Sequence, residues 1–324
     1  MSKKRITVFL AADDRYLPYL GVTVKSIADH TRSDFEYDVK ILSTQIPGER
    51  LQMLFDMPLG NVTVSVVDLD RRIGGIREEL KRRLRDYYSE SIYYRLFIPS
   101  MFPELDRAVY IDCDVVLCED ISRLYFTELG DALLGAVSDE SIPDVPAFCD
   151  YVRDWVGVPP EEYFNSGVLV MNLKAMREFH IEEKFLYLLG EYNFDTVAPD
   201  QDYLNRLCYG RVRYLDKGWN KQPKGNGEPL SGQFLIHYNM FNKPWHYRGV
   251  EYEEAFWRVA ATTPFYEEIY RELLRYNDEL KKIDCECAVR LIQNAARLSQ
   301  RQGGFSQVIT EEFHESFSCV GVNS

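Results

Sequence analysis

The chain has no excess of positive charge, no bilayer-length apolar run and no disulfide framework. It carries 38 Lys and Arg against 51 Asp and Glu, a formal net charge of −13 over 324 residues. No long basic run interrupts that balance, which argues against nucleic acid as a partner. No apolar stretch approaches the ~20 residues that a transmembrane helix needs. Seven cysteines, an odd number without regular spacing, point to reduced thiols in the cytosol. Cys285-x-Cys287 has no matching second pair, so no zinc site is expected there. Met-Ser-Lys-Lys-Arg leads straight into an apolar strand pattern, without the h-region and cleavage site of a secretory leader. The expected location is therefore cytoplasmic, with peripheral contact at the inner face of the membrane left open.

What is present is an apolar fraction of 46%, ordinary for a globular chain with a real core. Residues 5–11 read as a strand, 17–30 as a helix, 38–43 as a strand, 48–57 as a helix and 61–69 as an alternating strand. That β-α-β-α-β order is the pattern of a parallel sheet covered by helices, an α/β fold. A helical stretch over 76–98 follows, then strands ending at Asp112, over 133–138, over 166–172 and over 233–238, with a helix over 200–209. From 265 to about 300, Ile269, Leu273, Tyr276, Leu280, Ile283 and Cys287 form a heptad-like stripe on one long helix. Such a stripe is expected to pack back on the domain, and it also offers a surface for a homo-oligomer. Seven acids balance seven bases between 265 and 301, so the helix lacks the basic face that anionic lipid would attract.

Chemistry concentrates at strand ends. Ala108-Val-Tyr-Ile-Asp-Cys-Asp-Val-Val-Leu117 sets Asp112 and Asp114 inside an apolar run. At a spacing of two, strand side chains share a face, so the two carboxylates repel unless a cation lies between them. A divalent metal on oxygen ligands is the obvious one; a strand terminus that happens to carry two acids is the plain alternative. Asp13 and Asp139 also fall at carboxyl ends of strands, where ligands of open α/β sheets bind.

Four further segments complete a pattern: Val8-Phe-Leu-Ala-Ala-Asp-Asp-Arg-Tyr16, Phe164-Asn-Ser-Gly167, Pro199-Asp-Gln-Asp-Tyr-Leu-Asn205 and His237-Tyr-Asn-Met-Phe-Asn-Lys-Pro-Trp-His246. In this order, with the Asp-Cys-Asp, they resemble the family 8 retaining glycosyltransferases, over residues 5 to about 260. The resemblance implies a single GT-A-type, Rossmann-like domain with a mostly parallel sheet over 1–262. A helical extension over 263–301 and a loosely ordered tail over 302–324 would follow it. It implies a UDP-hexose donor, galactose or glucose, and a saccharide or glycoprotein acceptor. It also implies Mn²⁺, or Mg²⁺, held by Asp112, Asp114 and His237; two carboxylates and an imidazole suit Mn²⁺ better.

Donor contacts carried over by the resemblance are Ala11, Asp13 and Tyr16 for uridine, Arg95 near the donor, and Asp112, Asp139 and Asn165, while Lys243 is a compact cation suited to a phosphate oxygen. Asp200 and Gln201 stand at the reacting centre. Gln201 is a poor nucleophile, so a front-face transfer is favoured, with Asp200 the carboxylate for a covalent alternative. Three departures stand out: Arg15 near the uracil, Tyr87 where some relatives carry a phosphate-contacting His, and Met240 in place of a Gly. Two other functions stay open, a non-catalytic sugar-nucleotide-binding protein and a nucleotidyltransferase. The latter would need a Gly-rich basic loop after the first strand, where residues 11–16 are acidic.

Overall fold

A computed structural model describes residues 3–43, 46–69, 90–225, 232–310 and 313–314. The chain runs β1 (Lys4–Ala11), α1 (Leu17–Asp29), β2 (Phe35–Ser43), α2 (Gly48–Phe55), β3 (Val62–Asp68), α3 (Tyr94–Met101), β4 (Arg107–Ile111) and β5 (Val115–Leu117). It continues through β6 (Leu134–Ser138), β7 (Phe164–Asn172), α4 (Leu173–Glu178), α5 (Ile181–Glu191), α6 (Pro199–Cys208), β8 (Val212–Tyr214) and β9 (Leu235–His237). Helices α7 (Glu253–Ala260), α8 (Tyr266–Arg275) and α9 (Asp278–Leu298) end the main body. Of the helix expected over 76–98, residues 76–89 lie outside the described residues, as does Tyr87.

Seven strands form one sheet in the order β3-β2-β1-β4-β7-β6-β8. β7 alone runs antiparallel to its neighbours, pairing Ile111 with Val168 and Leu134 with Met171. The α/β class and the mostly parallel sheet are as the sequence leads one to expect. β5 and β9, three residues each, make a separate antiparallel ribbon with Val115 opposite His237. Alternate strand residues feed two cores, one on each face. Ile6, Val8, Leu10, Val109, Ile111, Val168 and Val170 enter one. Phe9, Ala108, Tyr110, Leu169 and Met171 enter the other. A sheet buried on both faces has continuously apolar strands, which is how β1, β4 and β7 read. Strand order reverses between β1 and β4, and the crevice beyond their carboxyl ends is where such sheets take ligands.

Two expectations for the C-terminal region are corrected. The single long helix is broken: α8 ends at Arg275, and the Asn277 side chain accepts from the Leu280 N–H to start α9. The break lets the chain pass from one face of the sheet to the other. Phe265 and Ile269 are buried in one core, and Ala295 and Leu298 in the other. The second half of the stripe stays outside, with Ile283 51% exposed. Nor is the chain after Gln302 loose throughout, since Phe305 and Ile309 are fully buried. The Phe305 ring stacks on Phe194 at 4.1 Å and meets Tyr203 of α6 edge-on at 4.9 Å. No described helix is long and apolar enough to cross a membrane.

Phe305 therefore buttresses the helix that carries Asp200 and Gln201. Phe305→Ala is expected to cost about 3–5 kcal/mol, the usual range for emptying a buried aromatic site. Denaturant unfolding measures it; a loss below about 1 kcal/mol would show that the tail is not a structural member.

Candidate active site

Asp112, Cys113 and Asp114 form the turn between β4 and β5. The carboxylates converge because the chain turns there, not because they alternate along a strand. β9 brings His237 to them: its Nε2 lies 3.1 Å from Asp114 Oδ1 and 3.8 Å from Asp112 Oδ2. The three side chains can each offer a ligand atom within 4.8 Å of the others. His237 is 1% exposed.

Several observations fit these residues to a metal ion. Among the described residues, Asp114 Oδ1 is buried with no hydrogen bond donated to it. A Cβ on Gly167 would stand 2.3 Å from His237 Cε1 and 2.6 Å from Asp112 Oδ2, so glycine keeps this cradle open. With its proton on Nδ1, a neutral His237 ring turns the bare Nε2 toward the two carboxylates, an arrangement that asks for a cation.

Two permanent cations already serve the carboxylates. Arg95 at the start of α3 is buried, not a surface residue of a helix. It donates to Asp112 Oδ1 at 2.9 Å, to the Ser166 carbonyl at 2.6 Å, and pairs with Asp200 Oδ2 at 3.2 Å. Its guanidinium lies 4.3 Å over the Tyr110 ring, whose hydroxyl also donates to Asp112 at 2.9 Å. Lys243 Nζ donates to Asp114 Oδ2. Burial works against the Asp114 carboxylate, but the Lys243 ammonium beside it holds it below the usual range. Burial also opposes the charge on Lys243, and Asp114 outweighs it, so the net shift is upward.

A second group of side chains adjoins the first across Ser166 and Gly167. Gln201 Oε1 accepts from the Ser166 N–H at 2.9 Å, and its Nε2 donates to Asp139 Oδ2 at 3.1 Å. Asn165 Nδ2 donates to the same oxygen at 3.2 Å, while Ser166 Oγ donates to Asp200 at 2.9 Å. Burial pushes the Asp200 carboxyl up, with Arg95 pulling against it. Asp202, two residues and about half a turn along α6, faces inward. It accepts from Tyr151, Tyr163 and the backbone N–H groups of Val197 and Ala198. Burial pushes it up to about 6 despite those bonds. Asp202 thus anchors α6, and Asp200 and Gln201 are left to the cleft.

Ala11, Asp13 and Tyr16 lie at the end of β1 and the entry to α1. Asp13 accepts from the Tyr16 N–H at 3.1 Å and pairs with Arg15 at 3.2 Å, so Arg15 leans on the carboxylate expected for uracil. Tyr16 is 41% exposed and its hydroxyl feels the charges of Lys243 and Asp114. Met240 holds the left-handed backbone, φ 59°, that a glycine would adopt at least cost. Ser166, Asn220 and Gln222, which the sequence does not single out as site residues, are all buried here. Asn220 donates to Asn165 Oδ1 at 2.9 Å and meets His237 Nδ1 at 2.9 Å; Gln222 lies 3.5 Å from Asp139. Ser166 sits in the quoted Asn-Ser-Gly and was within reach. Asn220 carries no local signal, lying 17 residues from its histidine.

Gly167→Ala is expected to abolish Mn²⁺ binding while the far-ultraviolet circular dichroism stays that of the wild type. Isothermal titration with MnCl₂ checks this, and undiminished binding would remove the cradle from the ion's position.

The chain has relatives among known proteins. The chain is 24% identical over 255 residues to General stress protein A of Bacillus subtilis, covering 72% of this chain and 85% of that one. It is 30% identical over 189 residues to the lipopolysaccharide 1,2-glucosyltransferase of Escherichia coli, covering 53% and 54% of the two. The crystal structure of the galactosyltransferase LgtC in complex with donor and acceptor sugar analogs superposes with a TM-score of 0.66 at 26% identity, over 80% of this chain and 96% of that one. Residues 7–249 match the model of Glycosyl transferase family 8, and the chain belongs to that family of glycosyltransferases.

Proposed function

We propose that the chain is a metal-dependent, retaining hexosyltransferase. It moves galactose or glucose from UDP to an acceptor hydroxyl on a cell-surface glycan, a lipopolysaccharide-type saccharide or a glycoprotein. The observation that carries this reading is the meeting of an Asp-Asp-His triad and a carboxylate–amide pocket across Ser166-Gly167. The names of a lipopolysaccharide glucosyltransferase and of a galactosyltransferase among its relatives support the hexosyl assignment.

Asp112, Asp114 and His237 would hold the ion, Mn²⁺ in preference to Mg²⁺ because imidazole is among the ligands. Bound there, it would supply Lewis-acid stabilisation of the departing diphosphate. Ala11, Asp13 and Tyr16 receive the uridine, with the Tyr16 ring available for stacking. Lys243, now on Asp114, is the ammonium within reach of a phosphate oxygen. Arg95 holds Asp112 and Asp200 at once and so sets the spacing between the phosphate and sugar ends of the donor. Asp139, Asn165, Asp200 and Gln201 supply two-point contacts to sugar hydroxyls.

The hydrogen-bond pattern supports front-face transfer. Gln201 Oε1 is occupied by the Ser166 N–H, and the Asp200 carboxylate is engaged by Arg95 and Ser166. Neither is a free nucleophile beneath an anomeric carbon. The acceptor oxygen bonds to that carbon as its bond to the diphosphate oxygen breaks, and the acceptor's proton passes to the departing diphosphate. Gln201 then serves to stabilise the positive charge that develops on the sugar ring.

A screen of UDP-sugars for Mn²⁺-dependent hydrolysis is expected to find a UDP-hexose substrate. Asp112→Asn or Asp114→Asn should lower that turnover by roughly a hundredfold or more, the usual effect of losing an electrostatic stabiliser of a developing oxyanion. Wild-type rates in both variants would end the metal assignment, and a chain that binds UDP-sugars without turnover would be a binding protein instead. Gln201→Ala should slow transfer without trapping a covalent species. Intact-protein mass spectrometry after single-turnover mixing reads this, and a hexose adduct on Asp200 would put double displacement first.

A further inference from the structure

Asn220 is 1% exposed and uncharged, and its buried amide is held by the side chains of Asn165 and His237. Its surroundings determine how its amide must lie. The starting point is a backbone N–H, which can only donate: Gly167 N points at the Asn165 side chain at 3.0 Å. The Asn165 atom that receives it must be the carbonyl oxygen. The other end of Asn165, the NH₂, then faces Asp139 Oδ2 at 3.2 Å, a donor against a carboxylate. Asn165 Oδ1 also lies 2.9 Å from the Asn220 side chain, so the Asn220 atom there must be its NH₂. That turns Asn220 Oδ1 toward His237 Nδ1, 2.9 Å away. A carbonyl oxygen only accepts, so Nδ1 carries the proton. The free lone pair of the neutral ring is then on Nε2, the nitrogen that faces Asp112 and Asp114.

We propose that Asn220 is a positioning residue that locks His237 in the Nδ1-protonated tautomer, through a relay anchored on the Gly167 amide and Asn165. The inference rests on the reading of His237 as a metal ligand. In the other tautomer Nε2 carries a hydrogen and cannot ligate. Backbone geometry backs the arrangement: the His237 N–H donates to the Lys221 carbonyl at 2.8 Å, which keeps residues 220 and 237 side by side. The relay also places Asp139 of the sugar pocket and His237 of the triad at opposite ends of one set of hydrogen bonds.

The chain has only five histidines, so ¹⁵N-histidine labelling resolves the His237 ring by NMR. In the metal-free protein at a pH where the ring is neutral, the wild type should show a protonated Nδ1 and a bare Nε2. Asn220→Leu removes the acceptor; the ring should lose that preference, and Mn²⁺ affinity measured by titration without nucleotide should fall roughly 10- to 100-fold, the usual effect of removing the partner that orients a ligating histidine. Asn220→Asp keeps an acceptor for Nδ1–H but gives up the donor to Asn165, and should keep the Nδ1 proton with an affinity between those of Asn220→Leu and the wild type. A role in folding alone would lower the melting temperature without separating Asp from Leu in these two readouts. A proton on Nε2 in the wild type, or equal Mn²⁺ affinity in the wild type and the folded Asn220→Leu protein, overturns the proposal. Absence of Mn²⁺ binding in a wild type whose Nδ1 is protonated would instead overturn the metal reading on which it rests.

Discussion

Asp112, Asp114, Asp139 and Asp200 are gathered into one mostly buried cleft of a chain that is already acidic. Two like charges about 4 Å apart cost on the order of 4 kcal/mol near a protein surface, so such a gathering persists only with compensation close by. Arg95 neutralises Asp112 and Asp200 together, and Lys243 neutralises Asp114. Asp139 relies on neutral donors: Ser141, Asn165 and Gln201. Four carboxylates thus face two permanent cations. The remaining deficit sits where Asp112, Asp114 and His237 converge and where Gly167 leaves room. The side-chain geometry elsewhere in the cleft follows from that imbalance.

Holding such a cleft requires rigid walls, and the C-terminal segment supplies part of them. Phe265 sits against Gly21 of α1, where even a methyl group would meet its ring at 2.4 Å. Trp245, two residues past Lys243, stacks on Tyr19 of the same helix at 4.0 Å. Tyr19 in turn donates to Glu272 of α8, which also meets His246 at 3.0 Å. The loop that carries Lys243 is therefore clamped between α1 and α8. On the opposite face Phe305 backs α6. The segment beyond 263 packs against elements that carry site residues, which explains why its first apolar stripe residues are buried and its later ones are not.

Much of the fold was legible because a sheet covered on both faces leaves long apolar strands, and β1, β4 and β7 are of that kind. The three-residue strand β8 is too short to show a period, and β5 is the far end of the apolar run 108–117, which reads in sequence as one strand. The break at Tyr276-Asn277 was missed because the apolar spacing runs on across it, while the deciding feature is a side-chain cap on Leu280. At the site, the strand-alternation argument brought Asp112 and Asp114 together for the wrong geometric reason, since a turn does the work. Arg95 is buried by tertiary packing alone, which its place on a helix does not reveal in sequence. Asn220 is informative solely through what the ribbon β5–β9 and the turn before Lys221 set beside it, and no local pattern encodes that.

An anionic donor approaching a chain with a net charge of −13 meets an unfavourable field at long range. The cations it needs are present, but Arg95 and Lys243 are committed to carboxylates in the structure. A divalent ion at Asp112, Asp114 and His237 would change that balance. It adds two positive charges beside the same oxygens that Arg95 and Lys243 now neutralise, and so weakens their hold on these side chains. Under the proposed function, ion and diphosphate would then favour each other's binding, and by linkage the effect would be equal in both directions. Under the same proposal the acidity of the cleft would make donor affinity depend on the ion, while the buried ion pairs of Arg95 and Lys243 keep the cleft assembled without it.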